Sequence, residues 1–240
     1  MHDQQVAVVT GASSGIGRAI ALAIAATGAS VCLVGRNHDR LAAVAAVARK
    51  TACSVMVHEA DLTSDSAVEN LTRSIKEDFK TVDILVHCAG AYAKGELEST
   101  PVEQLDALYR ANVRMPYAVT QALLPFLKIR QGQIVFVNSS QGLNAGRATG
   151  VFSATQHALK AITDSLRQEV NADGIRVISV YPGRTATPRM KALYQTEGWD
   201  YQPELLLQAE DIAKMVSQAL FLPRTAEVTS LEIRPLTRSY

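Results

Sequence analysis

The stretch Val6–Ala25, VAVVTGASSGIGRAIALAIA, constrains the fold more than any other part of the chain. A short run rich in valine leads at once into a loop holding Gly11, Gly15 and Gly17, and then into an apolar helical pattern. A strand with no polar face belongs inside a sheet covered by helices on both sides. The glycines let the backbone turn tightly and approach a ligand closely. The helix that follows directs its first N–H groups and the positive end of its dipole into the same turn, which suits a phosphate. Glycine-rich turns can be purely structural, but one between a strand and a helix is the setting expected for a pyrophosphate-binding loop.

The pattern repeats along the chain. Apolar runs at 6–10, 30–35, 54–60, 83–89, 133–138, 175–180 and 228–233 predict strands, and helical periodicity predicts helices near 15–27, 39–49, 64–79, 101–128, 152–171 and 209–221. Repeated βα units imply parallel strands joined by right-handed crossovers. The expected fold is α/β: one Rossmann-like three-layer sandwich over residues 1–240, with a doubly wound, parallel seven-stranded sheet. Ligands of such sheets bind outside the carboxyl ends of the strands, where the winding reverses.

The formal net charge of +1 gives no field that would favour nucleic acid or an anionic membrane. No apolar stretch approaches the ~20 residues needed to span a bilayer. The N-terminus runs directly into the first strand, without the pattern of a signal peptide. Cys32, Cys53 and Cys88 show no metal-ligand spacing and read as small buried hydrophobes. Together these features lead us to expect a protein of the reducing cytoplasm.

Several motifs occur in a specific order. The glycine loop has the spacing Gly-x-x-x-Gly-x-Gly. It is followed by VDILVHCAG (82–90), YRANV (109–113), GQIVFVNSSQG (132–142), GVFSATQHALKA (150–161) and GIRVISVYPGRTATP (174–188). Across nearly the whole chain this series resembles the short-chain dehydrogenase/reductase family. The resemblance implies a nicotinamide cofactor held by Gly11, Ser13, Ser14, Gly15, Ile16 and Gly17, with Asp61 and Leu62 at the adenine. It also implies contacts from Cys88, Ala89 and Gly90, and from Pro182, Gly183, Thr185 and Thr187 at the nicotinamide end. His87 and Cys88 stand where the family carries two asparagines.

Cofactor choice turns on the residue after the second strand. A carboxylate there accepts from a free ribose 2′-hydroxyl, whereas an arginine pairs with a 2′-phosphate. Arg36 holds that position, and Asp39, three residues on, can equally cap the next helix. NADP(H) is therefore favoured over NAD(H).

The helix at 152–171 departs from the family. Its members carry Tyr-x-x-x-Lys there, because the substrate oxygen must exchange a proton as hydride moves. A lysine one turn along the helix lowers the phenol's pKa. Aligned without a gap, Phe152 stands in the tyrosine's place and Gln156 in the lysine's. The family's serine falls on Ser139, with Ser140 as the alternative, and its asparagine on Asn112. Gln156 can still hydrogen-bond a ribose but carries no charge. A one-residue shift would bring Ser153 and His157 into play, about 100° round the helix from the expected face. His87, Tyr181, Tyr194 and Tyr201 are further polar candidates, with His87 expected to be a buried, hydrogen-bonded histidine.

Two functions follow. The first is an NADP(H)-dependent oxidoreductase for a small-molecule carbonyl or secondary alcohol, impaired by loss of the acid–base pair. The second is a non-catalytic NADP(H)-binding pseudoenzyme, acting as a sensor or assembly subunit. A serine hydrolase using Ser153 and His157 is a remote third, because its nucleophile would need an exposed elbow. The resemblance also implies a homodimer or homotetramer packed through helices 101–128 and 152–171; Leu123, Leu127, Leu159 and Leu166 are candidate contacts or, equally, residues that face the sheet. Residues 184–208 are expected to form a loop that covers the substrate.

Overall fold

The computed structural model describes residues 5–237. In chain order the elements are β1 (Val6–Thr10), α1 (Gly15–Ala25), β2 (Ser30–Gly35), α2 (His38–Ala48), β3 (Val55–Glu59), α3 (Asp65–Asp78), β4 (Ile84–His87), α4 (Val102–Tyr109) and α5 (Met115–Arg130). They continue with β5 (Gln133–Val137), α6 (Gly150–Val170), β6 (Arg176–Pro182), β7 (Thr185–Ala186), α7 (Pro188–Thr196), β8 (Leu207–Gln208), α8 (Ala209–Leu220) and β9 (Ser230–Ile233). Seven strands form one parallel sheet in the order β3-β2-β1-β4-β5-β6-β9. The expected α/β sandwich is therefore the observed one. Its winding reverses between β1 and β4, whose carboxyl ends open the cleft described below.

Alternate residues of each strand feed two separate cores. Ala7, Val9, Val31 and Leu33 pack with Ile20 and Ile24 of α1 and with Ile212 and Val216 of α8. Val8, Cys32, Leu85, Ile134 and Phe136 pack on the other face with Leu71 of α3, Leu123 and Leu127 of α5, and Leu159 of α6. Burial on both faces explains why these strands read as continuous apolar runs. Each fully buried aliphatic side chain contributes roughly 1.5–3 kcal/mol, and truncating Phe136 to alanine would cost about 3–5 kcal/mol.

Several details differ from the sequence expectations. The single helix expected over 101–128 is two: α4 and α5 are joined by a π-helical turn at Arg110–Arg114. Leu123, Leu127 and Leu159 are buried under the sheet and are not surface contacts, while Leu166 is half-buried. Residues 184–208 are not a bare loop, since they contain α7 and the short β7–β8 pair. Cys32 is fully buried and Cys88 partly so, but Cys53 is exposed in the turn leading to β3. Burial pushes both the Cys32 and Cys88 thiols up to about 12. Among the described residues no helix is long and apolar enough to cross a membrane. No cluster of His, Cys, Asp or Glu among them could hold a metal ion.

Candidate active site

The glycine loop is fixed against the end of β4. Thr10 Oγ1 donates to the Val86 carbonyl (3.2 Å) and accepts from the N–H groups of Cys88 (3.1 Å) and Ala89 (3.3 Å). Gly11 has φ +69°, and a Cβ there would lie 2.7 Å from the Ala89 nitrogen. At Gly17 a Cβ would lie 2.4 Å from the Gly11 carbonyl oxygen. Side chains are thus excluded by backbone on both sides of the turn. Ser14, the residue before α1, makes no side-chain capping bond, and the first turn of α1 carries no acidic residue. That helix start is open to an anion in the way helix N-termini favour.

A cleft of about 390 Å³ runs from this loop across the sheet edge. It is lined by Gly11, Ser13, Ser14, Gly15, Ile16 and Gly17, by Arg36, Asp61 and Leu62, and by Cys88, Ala89 and Gly90. Asn112, Phe152, Gln156 and Thr187 complete the set of sequence-predicted residues that it brings together. Arg40, which sequence reasoning missed, joins Arg36 at one end. Asn37 rather than Asp39 caps α2, accepting from the Arg40 N–H at 2.9 Å. Asp61 accepts from the N–H (3.1 Å) and the hydroxyl (2.8 Å) of Thr63. The Thr63 bonds, backbone first, hold the Asp61 carboxyl below its ordinary pKa, and Arg36 acts in the same direction.

Asn112 sits in the π-helical turn and is buried. Its Oδ1 accepts from Ala91 N–H at 2.7 Å, while its Nδ2 donates to the Ala91 carbonyl (2.9 Å) and to Thr155 Oγ1 (3.1 Å). It therefore ties the chain after β4 to α6. Single π-turns of this kind are frequent at functional sites. His87 is buried, stacked on Phe136 with ring centroids 4.7 Å apart, and its Nε2 lies 2.8 Å from Thr120 Oγ1. Burial drives its pKa down to about 3, which keeps the imidazole neutral at physiological pH, and the residue borders the cleft.

Phe152 and Gln156 lie on the buried face of α6 and border the cleft. The Phe152 ring packs edge-on against Tyr92, with centroids 4.8 Å apart. The Gln156 backbone carbonyl accepts from Asn138 Nδ2 at 3.1 Å. The buried face of α6 also carries Val151, Thr155, Leu159 and Thr163, whereas Ala154 and Ala161 face outward. Ser153 does not meet His157 through its hydroxyl. Its Oγ lies 3.0 Å from both Gln141 Oε1 and Thr149 Oγ1, and His157 Nδ1 sits 2.9 Å from the Ser153 carbonyl. Lys160 pairs with Asp164 at 2.6 Å.

A second cleft, also about 390 Å³, lies beyond Phe152. It is lined by Ser139 and Ser140, by Pro182, Gly183 and Thr185, and by Trp199, which follows α7. Phe152, Asn138, Ile16, Thr187 and Arg189 border both clefts, so the two meet there. Ser139 Oγ accepts from Gln141 N–H at 3.2 Å. Tyr181 is buried within β6, and neither it nor Tyr194 nor Tyr201 lines a cleft. Tyr194 instead packs edge-on against Trp199 and Tyr201, with centroids 5.5 Å from each.

The chain is 37% identical over 234 residues to an uncharacterized oxidoreductase of Staphylococcus epidermidis, covering 97% of this chain and 98% of the relative. An alcohol dehydrogenase from Thermococcus sibiricus, complexed with 5-hydroxy-NADP, superposes with a TM-score of 0.88 at 28% identity, covering 99% of this chain and all of the other. L-sorbose reductase from Gluconobacter frateurii, complexed with NADPH and L-sorbose, superposes with a TM-score of 0.87 at 27% identity, covering 96% and 94%. Residues 5–198 match the family model described as short chain dehydrogenase, and the chain belongs to that family of oxidoreductases.

Proposed function

We propose that the chain binds NADP(H) in the first cleft and that Phe152 and Gln156 occupy the seats of the family's proton donor and its cationic helper. In this reading it is a reductase or dehydrogenase of reduced turnover, acting on a small carbonyl or secondary alcohol. The observation that carries it is the placement of both side chains on the wall of a cleft that begins at the glycine loop. The cradle fits a dinucleotide, because Gly11 and Gly17 leave room only for backbone and the start of α1 is uncapped. Related structures with bound NADPH and 5-hydroxy-NADP support the same assignment.

When bound, the nicotinamide supplies or accepts the hydride. The protein's part is to hold the reacting carbonyl and manage its proton. Arg36 and Arg40 supply two cations at the ribose end, which favours a 2′-phosphate. Gln156 offers an amide to ribose hydroxyls, and Ser139 offers a hydroxyl to the substrate oxygen from the second cleft. Asn112 holds the Ala91 backbone and α6 in register. Phe152 fills the donor's volume but has no proton to give. Loss of a general acid typically costs ~10²–10⁴ in rate.

The second reading, a non-catalytic NADP(H)-binding protein, keeps the same cofactor contacts and draws on the same two side chains. NADPH fluorescence and absorbance-followed turnover against ketones and alcohols separate the readings. Binding with slow turnover favours the impaired enzyme, and binding with none at all favours the sensor or assembly subunit. Absence of NADPH binding would refute both.

A further inference from the structure

The second cleft is electrically lopsided. Lys94, Arg147, Arg184 and Arg189 line it, against a single carboxylate, Glu197. The whole chain carries a net charge of only +1, so four cations around one cavity are a local concentration. Their arrangement is specific. Two of them approach Trp199, with Lys94 Nζ 4.9 Å and the Arg184 guanidinium 5.1 Å from the indole ring. Arg184 also donates to Tyr194 Oη at 3.3 Å, which fixes its direction. Lys94 pairs with Glu197 at 2.7 Å through one carboxylate oxygen, while the other is buried without a hydrogen-bond partner among the described residues. Arg147 stands at the rim, largely exposed and paired with Glu96 at 3.0 Å. Arg189 donates to the Gly90 carbonyl at the junction of the two clefts.

Resting on the oxidoreductase reading above, we infer that the substrate of this cleft is a small carbonyl or hydroxy compound bearing an anionic group, a carboxylate or a phosphate. A cavity wall with an excess of one charge draws in and holds the opposite charge. Phe152 and Tyr92 close the apolar side, and Ser139 marks where the reacting oxygen is held. The anionic group then lies toward Lys94 and Arg184, the two cations that share the Trp199 ring. The orphaned Glu197 oxygen leaves an acceptor for a hydroxyl or amino donor on the same ligand.

Trp199 is the only tryptophan in the chain and lines the cleft, so its fluorescence reads occupancy directly. The test titrates the NADPH-loaded protein with acetoacetate and with methyl acetoacetate, and with dihydroxyacetone phosphate and dihydroxyacetone. At least one anionic probe should bind tenfold or more tightly than its neutral counterpart, and which one does so identifies the anion. Raising the salt should weaken that preference. Lys94→Gln and Arg147→Gln should each reduce it severalfold, whereas Glu197→Gln should increase it, a gain that misfolding could not produce. Affinity for methyl acetoacetate, which has neither a charge nor a hydroxyl donor, should be unchanged in all three variants. Equal affinity for the anionic and neutral members of both pairs would overturn the inference, as would a loss of preference in Glu197→Gln. Failure of NADPH itself to bind is a separate result that overturns the underlying cofactor reading.

Discussion

Gly17→Ala opposes two effects of known sign. Gly17 is in α1, so alanine there should stabilise the helix by about 1 kcal/mol on propensity alone. The added Cβ, however, would sit 2.4 Å from the Gly11 carbonyl oxygen and 2.8 Å from its carbon, with Cys88 Cβ at 3.3 Å. Two of these atoms are backbone, and Gly11 is itself pinned against Ala89, so relief requires α1 and the loop to separate. Overpacking of this kind costs ~1–3 kcal/mol. The substitution should therefore leave the protein no more stable, and by as much as about 2 kcal/mol less stable. For a chain of this length that corresponds to a fall of up to roughly 4–8 °C in Tm. Because the displaced loop is the proposed phosphate cradle, NADPH affinity should fall at least tenfold. Urea denaturation and NADPH fluorescence titration read the two effects separately. A variant with raised stability and unaltered NADPH affinity would refute both the tight approach and the placement of the cofactor.

Arg36→Ala should weaken NADPH binding roughly ten- to hundredfold, the scale of a charge-assisted bond to phosphate, and leave NADH binding within about twofold. The loss should shrink as salt rises, because Arg36 is exposed; equal losses for both cofactors would remove the 2′-phosphate assignment. His87 has a folded pKa of about 3 against an ordinary 6.5, so between those values the unfolded chain takes up a proton that the native state refuses. Stability from this residue is complete above pH 6.5 and falls with acid, by about 2 kcal/mol between pH 7 and pH 5. His58, also pushed down by burial, acts in the same direction, so the readout is the difference between the parent and His87→Asn. Urea midpoints should drop less on acidification in the variant; identical pH slopes would contradict a buried, neutral His87.

The sheet was legible because its strands are buried on both faces, and every one of the seven predicted runs became a strand within a few residues. The glycine loop was legible for a related reason: backbone crowding leaves glycine alone at Gly11 and Gly17. The break in the 101–128 helix was not, because RANVR contains no helix breaker. It is associated with tertiary bonds from Asn112 to Ala91 and Thr155, which no local pattern reveals. Pro116, which cannot donate to the carbonyl four residues back, was the one local signal that could have found it. On α6 burial does not follow apolarity. Thr155 and Thr163 are buried because they find partners in Asn112 and Ser179, while alanines face outward. Arg40, Tyr92 and Lys94 were missed because their relevance comes only from where β2 and β4 end relative to α6 and α7. Asn112, Phe152 and Gln156, singled out by motif order, all line one cleft.

The central claim concerns what Phe152 and Gln156 lack, and the most direct measurement compares kcat of the parent with that of Phe152→Tyr/Gln156→Lys on ketone and oxo-acid substrates at saturating NADPH. Both proteins should bind NADPH, the double variant should turn over at least ~100-fold faster, and its rate should rise and fall with the ionisation of the new phenol. A parent already turning over at the ordinary ~1–10³ s⁻¹ of enzymes, with no gain from the double substitution, would contradict the account.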